Sequence, residues 1–150
     1  MTGEPAAPAG RPAATLAISR GARRALRALG LATVAELPLP DGRRADVVAL
    51  AGDGTLWIAE VKSSPEDFAA DRKWGGYSDH CDRFLFAVGE DFPVELIPET
   101  CGLMVCDAYD GRLLRDPAER RLAPATRRAM LLRFAAAAAD RLHDREDPTR

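Results

Sequence analysis

The stretch between Arg44 and Lys62 constrains the fold more than any other part of the chain. Two apolar runs, RADVVAL over Arg44–Leu50 and TLWIAEVK over 55–62, are separated by Ala51-Gly52-Asp53-Gly54. Apolar runs of this length, joined by a Gly-Asp-Gly reversal, read as two strands of a β-hairpin. A third run, 33–39, precedes them across the turn Pro40-Asp41-Gly42, so three successive strands form an antiparallel meander. The 150 residues supply one domain's worth of chain, enough to bury about 70% of the surface the unfolded form exposes.

Helices flank the meander. Ser19 reads as the N-cap of a helix reaching Leu29, with Ala22, Leu26 and Leu29 on one face and Gly30 at its C-terminal stop. Ser64-Pro65-Glu66-Asp67 is a second start, with a hydroxyl cap, proline at the first helical position and acids in the first turn. The pattern predicts a helix from there through Phe68 and Arg72 to Tyr77, weakened by Gly75 and Gly76, which mark a break or a close approach. Residues 84–88 and 103–106 read as further strands, and residues 125–143 as a long helix striped by Ala129, Leu132, Ala136 and Ala139. The expected order is helix, three strands, helix, strand, strand, helix, an α/β (α+β) domain over 15–143. Residues 1–14, rich in Pro, Ala and Gly, read as a disordered leader, and 144–150 as a frayed tail.

Composition excludes whole classes. The longest apolar runs fall far short of the roughly 20 residues a membrane span needs, and no basic-then-apolar signal opens the chain. The expectation is a cytoplasmic protein without a membrane partner. Cys81, Cys101 and Cys106 lack a CxxC pair, and with His80 they lack the compact ligand pairs of a zinc site, so they read as reduced, buried hydrophobes. The net charge of -2 conceals a segregation: +5 over residues 11–44, -10 over 45–110 and +4 over 111–150. An acidic centre between basic flanks suits a cation and a polyanion, although solvated helix faces give the same sums. Nineteen of the 21 basic residues are Arg, so Lys62 and Lys73 stand out where arginine is the default.

Alternation along the third strand places Leu56, Ile58, Glu60 and Lys62 on one face, Glu60 and Lys62 about 6.6 Å apart along the rise. The antiparallel hairpin brings the start of one strand beside the end of the next, and so Asp46 beside Glu60 and Lys62. Charges at the end of an apolar strand cost burial energy unless paired or bound to something. Two carboxylates and a lysine meeting there suit metal-assisted phosphodiester hydrolysis: oxygens hold a hard cation, and the lysine orients water or offsets developing charge. A surface salt bridge between Glu60 and Lys62, with Asp46 as a strand-edge charge, accounts equally for the trio.

Asp46 followed by Glu60-Val61-Lys62, on a strand-turn-strand leading into a helix, resembles the PD-(D/E)XK nuclease superfamily. More narrowly, RRADVVAL, EVKSSPEDFAADRKW, GYSDHCDRFLFAV and GLMVCDAYDGRLLR resemble MmcB-type bacterial DNA repair proteins, over about residues 19–137. The resemblance implies a restriction-endonuclease-like core in which Asp46, Glu60 and the Val61 carbonyl ligate magnesium, with manganese as the alternative, and Lys62 is the catalytic lysine. Ala45 stands where the motif often has proline, a substitution common in the superfamily. Lys73 and Tyr77 are similar in placement to the Gln-xxx-Tyr element with which RecB-like nucleases contact the substrate backbone, and read equally as a solvated lysine and a core-edge tyrosine. Trp74 reads as a core anchor, and Glu36 as a supplementary metal ligand.

The function expected is DNA repair through magnesium-dependent hydrolysis, with no other cofactor. Basic helices carrying Arg23, Arg24, Arg27, Arg127 and Arg128 would grip phosphates without reading sequence. Asp67, Asp71, Asp79 and Asp82 read mostly as helix-start and solvent charges. A double-strand cut would require a homodimer or a second encounter. The rivals are a non-catalytic DNA-binding repair accessory with the same fold and a protein-interaction domain.

Overall fold

In the computed structural model, which describes residues 12–148, the meander forms as β1 (Ala32–Pro38), β2 (Arg44–Leu50) and β3 (Leu56–Lys62). β2 takes its expected bounds, and the other two lie within a residue of theirs. Gly54 closes the β2–β3 turn at φ +91°, a left-handed conformation that glycine adopts without strain. β3 then pairs in parallel with β4 (Arg83–Gly89), and β4 in parallel with β5 (Gly102–Cys106). β5 pairs antiparallel with β6 (Gly111–Arg115), completing one mixed sheet in the order β1-β2-β3-β4-β5-β6. β6 is absent from the sequence expectation. Gly-Arg-Leu-Leu-Arg does not alternate, and its pairing slips in register between Leu103 and Met104.

The first helix, α1 (Ala13–Ala28), begins six residues before the expected cap, so Ser19 lies inside it. Ala13 and Ala14, assigned to the leader, form its first turn; residues 1–11 lie outside the described residues. Ile18, Ala22, Ala25 and Leu26 face a core of Val47, Ala49, Ala59, Val61, Leu85 and Met104 on one side of the sheet. Leu29, expected on that face, is 59% exposed because the chain leaves the helix there and Gly30 turns it at φ +90°.

On the other side, Val48, Leu56, Ile58, Phe84, Phe86 and Val88 pack with Met130 and Phe134. α2 (Pro65–Ala70) stops seven residues short of Tyr77. None of its residues is fully buried, so little packing sustains another turn. Asp71 becomes extended, its carboxylate accepting from the Lys73 N–H at 2.9 Å, and the chain resumes as a tighter 3-10 turn, Trp74–His80. Phe68 and Trp74 hold this crossover down, each ring edge-on to Phe86.

α3 (Pro124–Glu146) runs three residues past His143 into the segment expected to fray. Its inward stripe is Met130 and Phe134 with Leu131, Ala137 and Ala138, whereas Leu132 is 57% exposed and Ala136 and Ala139 face solvent. Alanines on every side offer no contrast to read, and anchoring arginines select the face. Arg127 binds Asp82, and Arg141 donates to the carbonyls of Ala35 and Glu36 on β1. Among the described residues no helix is long and apolar enough to cross a membrane.

Candidate active site

The β2–β3 ladder ends at the pair Val47–Ala59. One residue further, side chains take over from backbone. The Asp46 N–H donates to Glu60 Oε1 at 2.8 Å, and the Val61 N–H donates to Asp46 Oδ2 at 2.8 Å. Both carboxylates are thereby fixed side by side at 6% and 3% exposure, in the register inferred from the turn. Burial, and then the Asp46 charge, push the Glu60 carboxyl well above its ordinary range, with the Asp46 N–H opposing them.

Lys62 is buried as well, and its Nζ lies 2.7 Å from Asp71 Oδ2. The surface Glu60–Lys62 salt bridge is therefore not what forms. The ammonium's partner sits at the end of α2, a residue the sequence reading counted with the solvent charges. Burial pushes the Asp71 carboxyl up, but the Lys62 hydrogen bond and the Lys73 N–H outweigh it and hold the group below its ordinary value. A helix start with no apolar stripe behind it is the one sequence signal that α2 would end early and present Asp71.

These residues line a cleft of about 840 Å³ together with Thr15, Arg43, Arg44, Ser63, Asp67, Lys73 and Tyr77. Asp67 serves the helix start: the Ser64 hydroxyl accepts from its N–H, and its own carboxylate accepts from the Ser63 N–H, both at 3.1 Å. Lys73 and Tyr77 do not share an α-helix, yet both reach the cleft. The Tyr77 ring stacks parallel to Phe84 with centroids 6.2 Å apart and the Arg43 guanidinium 5.7 Å above it. Burial, followed by the charges of Glu60, Asp46 and Asp71, raises its phenol further and keeps it a neutral donor. Arg43 presses on Gly76, where a Cβ would overlap its guanidinium, so the close approach marked by that glycine is real. Trp74 stacks on Phe84 as a core anchor. Arg43, Arg44 and Thr15 are cleft residues that the sequence reading missed; all three depend on how α1 and the β1–β2 turn dock.

Other candidates lie elsewhere. Glu36, at φ +52° within β1, pairs with Arg44 at 3.3 Å and borders a neighbouring cleft with Arg20, Arg23, Arg24 and Arg27. It does not join the lining of the Asp46 cleft. Arg23 donates to Thr33 Oγ1 and Arg24 to the Tyr109 carbonyl. Arg127 is committed to structure. It forks onto Asp82 at 2.6 and 2.8 Å and also reaches the Gly54 carbonyl, while Arg128 is exposed. Asp82 is correspondingly no solvent charge: it is 2% exposed. Burial raises its carboxyl, but Arg127 and the N–H groups of Leu56 and Leu122 bring it to about 2. The three cysteines are free and buried, as expected. Among the described residues no group of three or more His, Cys, Asp or Glu is placed to hold a metal.

No curated protein matches the chain. A solved structure, a protein of unknown function from Silicibacter pomeroyi, superposes with a TM-score of 0.86 at 44% identity, covering 93% of this chain and 94% of that one. Residues 2–149 match the model of the MmcB-like DNA repair proteins, and with nearly the whole sequence accounted for, the chain belongs to that family.

Proposed function

We propose that this DNA repair protein is a metal-dependent nuclease of PD-(D/E)XK type that hydrolyses phosphodiester bonds in DNA. One observation carries the reading: the splayed ends of β2 and β3 hold Asp46 and Glu60 against each other, buried, with Lys62 two residues on. The residues fit a hard divalent cation. Burial, and then repulsion from Asp46, raise the Glu60 pKa, a cost that a cation between the two carboxylates would offset. Magnesium is commonly held by one or two carboxylates and keeps several waters, so Asp46, Glu60 and the Val61 carbonyl suffice. Bound magnesium or manganese would polarise the phosphate and acidify a water.

The chain's own residues do the rest. Lys62, steadied by Asp71, supplies positive charge beside the carboxylates, where negative charge develops on the phosphate. Arg43, Arg44 and Lys73 border the cleft and draw in the backbone without reading bases. Arg23, Arg24 and Arg27 extend that surface along α1, while of the α3 pair only Arg128 is available.

The test incubates single-stranded, duplex, flapped and branched DNA with wild type, Asp46→Asn and Lys62→Ala, in magnesium, manganese or EDTA. Cleavage that requires metal and disappears in both variants is expected. If wild type leaves every substrate intact in either metal, the nuclease reading fails. The non-catalytic DNA-binding accessory then takes its place, and one observation already favours it: the Lys62 ammonium is satisfied by the protein's own Asp71.

A further inference from the structure

The Asp46 cleft has a wall that hydrolysis as described leaves unused. Pro12 and Thr15, at the start of α1, border the same space as Asp46, Glu60 and Lys62. The two helix starts at this cleft contrast. α2 is closed by its own Ser64 and carries Glu66 and Asp67 in its first turn. α1 spans 16 residues, takes Pro12 at its cap position, has no side-chain cap and has no acid in its first turn. Its first backbone bond runs from the Leu16 N–H to the Pro12 carbonyl, so the N–H groups of Ala13, Ala14 and Thr15 precede the helical ladder. Aligned N–H groups and the positive end of a helix dipole form an anion site.

Thr15 gives the second, independent sign. It is 6% exposed and borders the cleft, yet no hydrogen bond of the described residues engages its hydroxyl. Its oxygen is not sealed from solvent, so the hydroxyl opens toward the cleft that the residue borders. A hydroxyl at the third position of a helix that no side chain of the described residues caps, bordering a cleft with Arg43 and Lys73 on its rim, is suited to a tetrahedral oxyanion.

We propose that the first turn of α1, with the Thr15 hydroxyl, is a phosphate subsite of the cleft, taking a backbone phosphate of the DNA strand beside the bond to be cut. The inference rests on the reading of the cleft as a DNA site, and it makes Thr15 a substrate-binding residue.

Two measurements test it. In the wild-type protein, inorganic phosphate is titrated while backbone amide resonances are followed by NMR; saturable shifts at Ala13, Ala14 and Thr15 are expected, and their absence overturns the subsite. In EDTA, where no cleavage occurs, the affinity for a short oligonucleotide is compared among wild type, Thr15→Val and Thr15→Ser. Loss of a hydrogen bond to a charged oxygen predicts binding about tenfold weaker in Thr15→Val and near wild type in Thr15→Ser. Because a hydroxyl displaces no counterion, the salt dependence stays the same. Amide shifts with unaltered DNA affinity in Thr15→Val overturn the assignment to a DNA phosphate. Weakened binding in Thr15→Val, alongside a wild type that never cleaves, upholds the subsite and refutes the nuclease.

Discussion

The two ends of β3 treat a buried carboxylate in opposite ways. At the start of the strand, Asp82 accepts from the Leu56 N–H at 2.7 Å, from the Leu122 N–H at 2.8 Å and from the forked Arg127 guanidinium, and its carboxyl falls to about 2. At the far end, Glu60 is as little exposed, and burial, followed by the charge of Asp46 beside it, raises its carboxyl. One site spends its charge on holding α3 to the sheet. The other sets two carboxylates side by side at a cleft, where burial and their mutual repulsion work against the Glu60 charge. The contrast lies in the partners each acid is given, since their solvent exposure is nearly the same.

The largest effect should come from breaking the structural end. Asp82→Ala strands the Arg127 guanidinium and the Leu56 and Leu122 amides, a loss of about 3 kcal/mol by the usual cost of breaking a buried pair, readable by denaturant unfolding. Glu60→Gln removes the charge that its surroundings oppose. It should leave stability within about 1 kcal/mol of wild type or raise it. If Glu60→Gln proves the more destabilising of the two, the comparison is wrong.

Acid sharpens the same contrast. Asp82, with a carboxyl near 2 against an ordinary 3.8, contributes stability that is present above its unfolded pKa and lost as pH falls through its folded one, roughly 2 kcal/mol in all. Glu60 has the reverse sign, because its folded pKa is raised: its contribution is present below its unfolded pKa of about 4.5 and lost as pH rises through the folded value. Subtracting the unfolding free energies of Asp82→Asn from those of wild type across pH 2 to 7 should give a difference that shrinks toward the acid end. A flat difference would mean that Arg127 holds Asp82 no better than water does.

How far each end was legible follows from how locally it is encoded. Asp46 and Glu60 are 14 residues apart across one hairpin, so alternation and a Gly-Asp-Gly turn are enough to bring them together. Asp82 and Arg127 are 45 residues apart, with β4, β5 and β6 intervening, and nothing in either neighbourhood signals the other. The same reasoning covers α3, whose alanines leave its facing to be decided by Arg127 and Arg141, and α2, whose strong cap says where a helix starts but not where its packing gives out. Thr15 was invisible because the Pro- and Ala-rich opening gives no helix start to read, whereas Ser19 offers a false one.

Metal should act on one end only. A divalent cation that binds the folded protein stabilises it by about 1 kcal/mol at a few times its dissociation constant. Magnesium should therefore raise the melting temperature of wild type and of Asp82→Asn alike, but not that of Glu60→Gln. A rise that survives in Glu60→Gln would place the cation elsewhere.

The smallest effect on stability falls at the cleft end, at Asp71. Its bond to Lys62 links a half-buried acid to a buried ammonium, so Asp71→Asn should cost no more than about 1 kcal/mol, because the amide still offers an oxygen to the Lys62 Nζ. Its effect on cleavage should be larger than its effect on folding. On the proposed reading, removal of the carboxylate loosens the lysine that would face the phosphate, and outer partners of such groups commonly account for roughly tenfold in rate. A fall in kcat of that size, with unchanged oligonucleotide affinity in EDTA, would make Asp71 the residue that positions Lys62. Faster cleavage in Asp71→Asn would mean instead that Asp71 restrains the lysine and that the resting cleft is held back by its own acid. Either result turns on a contact that the sequence reading counted among the solvent charges, at a helix end where local patterning carries the least information.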